Sequence, residues 1–152
     1  MTDFGATNGR RTLAQTLALV FGIVFLLTAI LGFIPGITTN VDDMKFAGED
    51  SPSELLGLFQ VSILHNIAHG LFGIGILAAR RHDHARLYLL ASGIVYTLLF
   101  LYGLIVSEDS SANFVPLNNA DDVLHLGLLI AFFAAYYVSG RERGVTDRAA
   151  TV

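Results

Sequence analysis

The chain has 152 residues, of which 53% are hydrophobic and 14% charged, and its mean hydropathy is +0.61. A soluble core cannot accommodate this composition, which predicts apolar surface on the outside of the protein. The sequence contains no cysteine, which excludes disulfides, thiolate chemistry and Cys-ligated metals. The net charge is −4 and no large basic face exists, which excludes nucleic acid as a partner.

Four apolar runs dominate the chain, and about 20 apolar residues of helix cross the hydrocarbon core of a bilayer. The first run is too long for the apolar region of a signal peptide, and no cleavage site follows it before Pro35. We therefore expect an all-α integral membrane four-helix bundle that uses residues 1–152 as a single membrane domain. The expected helices span about 12–34, 54–79, 86–106 and 121–139.

The charges indicate how these helices are oriented. Eight of the nine Lys and Arg residues fall on one side of the spans, and Lys45 is the exception. The positive-inside rule then places both termini in the cytoplasm. Nine of the thirteen acids fall on the opposite side. This acidic side has two interpretations. It can be a rim that concentrates cations, or a solvated loop surface whose charge only reflects the membrane topology.

Two helix faces carry the packing information. In the first span small residues share one narrow sector, which permits close backbone approach to a neighbour: Ala14, Ala18, Gly22, Ala29 and Gly32. In the second span a polar stripe should face the bundle interior, because lipid cannot satisfy its hydrogen bonds: Ser62, His65, Asn66, His69 and Gly73.

Ionisable side chains at membrane depth are expensive and mark a functional-site hypothesis. Counting helical rise from the basic residues puts His65 at the depth of His125, and His69 near the level of Tyr96. Neighbours in this cluster are Asn66, Asp121 and Asp122, of which an Asp could orient His125 by accepting its ring N–H. His82 and His84 are assigned to a solvated cytoplasmic turn.

The cluster admits four interpretations. It can bind haem or a divalent metal, with His65, His69 and His125 as candidate ligands. It can relay protons or cations from the acidic side. It can be structural, holding helices in register through interhelical hydrogen bonds. It can belong to a module that docks onto another membrane protein or a second copy of the chain.

Three motifs resemble an uncharacterised bacterial family, domain of unknown function 4383. They are Gly32-Phe-Ile-Pro-Gly36-Ile-Thr38, His69-Gly-Leu-Phe-Gly73 and Asn118-Asn-Ala-Asp121-Asp-Val-Leu-His125, and the similarity covers about residues 10 to 140. The resemblance implies a four-span membrane protein without an assigned activity. It places His69 and His125 on family motifs, but not His65.

These observations together favour a small, non-enzymatic accessory or ligand-binding protein of the cell membrane. Its polar cluster lies toward the outer face, and its first partner is the lipid bilayer. The alternatives are a haem- or metal-binding redox component and a proton or cation relay.

The charge distribution generates a topology prediction. Reporter fusions at position 45 and at position 152 should report opposite sides of the membrane, because the positive-inside rule places only the second in the cytoplasm. Reporters on the same side would overturn this topology.

Overall fold

The computed structural model describes residues 11–149, and for residues 141–149 only the helical backbone. The chain folds as a helical bundle, which confirms the predicted fold class. Its helices are α1 (Leu13–Leu31), α2 (Ile63–Phe72), α3 (Gly75–Ala78), α4 (His82–Ile105) and α5 (Asn119–Ala149). A short hairpin pairs β1 (Glu54–Leu55) with antiparallel β2 (Phe59–Gln60), and a 3-10 turn covers Val41–Asp43.

Three segments in the described part of the chain are long and apolar enough to cross a membrane. They are Leu13–Leu31, His82–Ile105 and Asn119–Gly140, whereas the apolar helical segment Ile63–Ala78 is shorter. These helices indicate a membrane protein. We call the end of the bundle that carries the β-hairpin the hairpin end.

The first helix begins and packs as its sequence predicts. Thr12 caps it, because its side chain accepts from the backbone N–H of Gln15 while the Gln15 side chain accepts from that of Thr12. The small-residue face is buried, which confirms its predicted role. Gly22 lies against the α3 backbone: a Cβ there would stand 2.5 Å from the nitrogen of Ile76. Close approach between α1 and α3 therefore needs glycine at this position.

The predicted helix over 54–79 is wrong in its first part. Residues 54–60 form the hairpin, whose turn contains Leu56 and Gly57 at φ +58° and +66°. Two successive left-handed residues form a hairpin turn of the type usually occupied by Asn-Gly. The helix starts only at Ile63, because Ser62 adopts an extended conformation and its hydroxyl accepts from the backbone N–H of His65 at 3.1 Å.

The second apolar run is also interrupted between α2 and α3. At this point the N–H of Ile76 donates to Gly73, three residues back, so the carbonyl of Phe72 lacks its usual helical donor. The hydroxyl of Tyr88 on α4 donates to that carbonyl at 3.0 Å. A side chain of a neighbouring helix thus supplies the missing hydrogen bond. Backbone groups inside a bilayer need such a protein partner, because no water is available there.

The other predicted bounds differ at their ends. α1 ends at Leu31 and continues in turns to Ile34, and α5 extends past 139 to Ala149. α4 begins at His82 and not at 86, so the predicted turn at His82 and His84 is the first turn of a helix. His82 is half-buried there, and its Nδ1 lies 2.9 Å from the hydroxyl of Thr12.

An aromatic layer fills the middle of the bundle. Phe25 of α1 stacks near Tyr96 of α4 and Phe132 of α5, with ring centroids 5.7 and 6.1 Å away, and Phe21 stacks on Phe132 at 4.2 Å. Ring pairs at these separations are favourable beyond their burial. The layer therefore connects α1, α4 and α5 below the hairpin end.

Gly22→Leu should separate α1 from α3 and lower the free energy of unfolding by about 1–3 kcal/mol, because the added side chain meets backbone atoms. Thermal unfolding in detergent measures the effect. Gly127→Leu is the matched control, since a Cβ on Gly127 meets nothing within 4 Å in the described chain. Equal stability of the two variants would contradict the α1–α3 contact.

Candidate functional site

A cavity of about 290 Å³ lies at the hairpin end between α1 and α5. The hairpin covers it, and α1 and α5 form its sides. Its polar lining comes from α2 and α5: His65, His69, His125 and Asp121, with Thr28 on α1. The remaining lining is apolar: Val20, Phe21, Val24, Phe25, Leu55, Leu56, Phe59, Val61, Leu124 and Leu128.

The three histidine rings lie together, as the sequence predicted. The ring centroids of His65 and His69 are 4.5 Å apart, and those of His65 and His125 are 6.4 Å apart. Tyr96 lies edge-on to His125 at 5.2 Å, and Phe25 lies within 6 Å of both Tyr96 and His69.

His65 is held by backbone carbonyls. Its Nδ1 lies 3.2 Å from the carbonyl oxygen of Gln60, and the carbonyl of Pro116 also interacts with the ring. A carbonyl can only accept, so Nδ1 of His65 carries the proton in the bond to Gln60. His65 therefore connects α2 to the hairpin.

His69 and His125 differ from His65 in their hydrogen bonding. The Nδ1 atom of each is buried and has no hydrogen-bond partner among residues 11–149. We call these two atoms the cavity nitrogens, because they belong to side chains that line the cavity, and rotation of each ring about its Cβ–Cγ bond would bring Nδ1 to the cavity surface. A buried polar atom without a partner costs about 1–3 kcal/mol. A buried atom that carries this cost calls for an explanation, and hydrogen bonding to a bound molecule is one.

Asp121 does not orient His125 but fixes the hairpin to α5. Its Oδ2 accepts from the backbone N–H of Gln60 at 3.0 Å and from that of Asn118 at 3.1 Å. In return the Asn118 side chain accepts from the N–H of Asp121 at 3.0 Å. The pair is a capping box at the start of α5, and the same carboxylate holds β2.

The other predicted site residues lie outside the cavity lining. Asn66 packs against Gly32 of α1, where an added Cβ would collide with its amide, and its Nδ2 lies 3.7 Å from the sulfur of Met44. Asp122 packs in the same way against Gly103 of α4. Tyr96 supports His125 from the aromatic layer. These residues are packing neighbours of the cavity.

The metal hypothesis gains no support from the arrangement. In the described portion of the chain, no group of three or more His, Cys, Asp or Glu side chains is placed to hold a metal ion. The rings of His65, His69 and His125 are nevertheless close in space, with centroid distances of 4.5 and 6.4 Å from His65 to the other two.

The sequence interpretation missed the aromatic and hairpin walls. Phe21 and Phe25 looked like ordinary apolar positions of α1, and Leu55 to Phe59 was assigned to a helix. Two signals were available for the hairpin: Ser62, a preferred N-cap residue type, and Gly57 between apolar pairs.

The three-part resemblance found in the sequence is confirmed by comparison with protein families. Residues 15–138 match a domain of unknown function, DUF4383. The chain belongs to this family. No curated protein and no solved structure matches it significantly. Within this DUF4383 chain, the matched range contains the whole cavity lining.

Stability measurements can test whether His65 and His125 differ in their hydrogen bonding. His65→Leu should lower the free energy of unfolding by about 1–2 kcal/mol, because it leaves the Gln60 carbonyl without its donor. His125→Leu should leave stability unchanged or raise it, since it removes a cavity nitrogen. Chemical unfolding in detergent measures both variants. Equal losses would show that His125 has a structural partner.

Proposed function

We propose that this protein is a non-enzymatic integral membrane protein that binds a small molecule at the hairpin end, in the outer half of the bilayer. Both termini lie in the cytoplasm in this proposal, as the basic residues favour. The interrupted α2–α3 segment then serves as the fourth, shorter transmembrane element, with the hairpin completing it toward the outer surface.

The observation that carries this proposal is the combination of the cavity and the cavity nitrogens. A purely structural cluster would be expected to pair its buried polar atoms with one another. Of the three histidines, only His65 has a hydrogen-bond partner for its Nδ1 in the described part of the chain. Concave, mostly apolar sites with a few convergent polar groups are the usual form of small-molecule sites.

The rest of the polar cluster has a structural role in this account. Asp121, Asn118 and His65 fix the hairpin above the cavity. Asn66 and Asp122 fill contacts at glycine positions of α1 and α4. A relay of protons through the cluster is not needed to explain any of these contacts.

Binding can be tested with 4-fluorotoluene, an apolar ring that reports through ¹⁹F NMR. The wild-type protein in lipid nanodiscs should give a saturable bound signal, because an apolar cavity of about 290 Å³ accepts a single ring. Leu128→Trp should abolish that signal by filling the cavity from α5.

Leu98→Trp is the matched control. Leu98 lies on α4, away from the cavity lining, and its side chain is exposed, so the larger side chain faces lipid. This variant should retain the bound signal. Lack of saturable binding by the wild type, or equal binding by both Trp variants, would contradict a ligand site in this cavity.

A further inference from the structure

The cavity combines an aromatic surface with the imidazoles of His69 and His125. Phe25 lines it and lies 5.9 Å from His69, centroid to centroid. Phe21 lines it as well and stacks on Phe132. Faces and edges of such rings pack best against another flat ring. The chemistry therefore favours a planar occupant over a flexible chain.

The polar part of the lining restricts the occupant further. Asp121 directs Oδ2 to backbone donors, and His65 donates to a carbonyl. The Thr28 hydroxyl donates to the Val24 carbonyl of its own helix. Hydrogen bonding to an occupant is thus left to His69 and His125. A neutral imidazole offers one donor and one acceptor, so these rings suit an oxygen that accepts, donates or does both.

Access to the cavity is from the side of the bundle. Val20 and Val24 on α1 are each 51% exposed, and Leu124 on α5 is 40% exposed, although all three line the cavity. The Phe21–Phe132 stack closes the gap between the two helices on one side, and the hairpin closes it on the other. In a membrane the exposed rim faces lipid, so an occupant enters from the bilayer.

We propose that the cavity binds a lipid-soluble ring bearing a phenol or quinone oxygen, with that oxygen on His69 and His125. This inference rests on the proposed function. A volume of about 290 Å³ is at the lower end of small-molecule sites, so one ring fits inside and any tail extends into the bilayer. No chemical change of the ring is part of the proposal.

The experiment compares 4-fluorophenol with 4-fluorotoluene by ¹⁹F NMR in nanodiscs. The two probes have similar shape, and only the phenol can hydrogen-bond through oxygen. The measured quantity is the ratio of their affinities within one variant, each corrected for partitioning into protein-free nanodiscs. We expect His69→Leu and His125→Leu each to lower the phenol-to-toluene ratio about 3- to 10-fold, as loss of one hydrogen bond predicts.

His84→Leu is the control, because His84 is exposed near the start of α4, away from the cavity. It should leave the ratio at the wild-type value. A wild type that binds both probes with a ratio that no histidine variant changes would overturn the oxygen-bearing ligand but leave the proposed function standing. That outcome would indicate an apolar occupant such as an acyl chain. Saturable binding of neither probe would overturn both.

Discussion

The backbone of Gln60 is the point on which the hairpin end depends. Its N–H donates to Asp121 on α5, and its carbonyl accepts from His65 on α2. Its side chain donates to the carbonyls of Glu49 and Ser51. Non-helical backbone near a bilayer is tolerated only where protein groups satisfy it. These bonds let a β-hairpin stand where a continuous helix was expected, and they hold it over the cavity.

Because the hairpin is held in this position, the bundle has an opening between α1 and α5 at the level of the cavity. Below the opening the Phe21–Phe132 stack and the aromatic layer bring these helices together with α4. Above it the hairpin separates them. The cavity nitrogens lie between these two closures, where the surrounding rings leave them buried and without a partner in the described chain. The fold thus tolerates the free-energy cost of two buried nitrogens without a hydrogen bond. An apolar side chain at either position would avoid that cost.

The sequence predicted the buried helix faces, which follow from helical periodicity. The small-residue face of α1 and the buried face of Ser62, His65 and Asn66 follow from helical spacing, and the structure buries both. The three histidines also meet as predicted. The hairpin was not predicted, because its apolar residues continue the hydropathy of the following helix and Leu56 occupies a turn position where Asn is usual. The role of Asp121 depended on the hairpin and on the start of α5, which hydropathy alone does not fix.

A crystal structure grown from a lipidic mesophase tests the central claim most directly. The account predicts that the gap between α1 and α5 persists in lipid, with non-protein density in the cavity in contact with His69 and His125. It also predicts the hairpin in place, with Gln60 bonded to Asp121 and His65. Closure of α1 onto α5, with the imidazoles of His69 and His125 hydrogen-bonded to protein groups, would contradict the account.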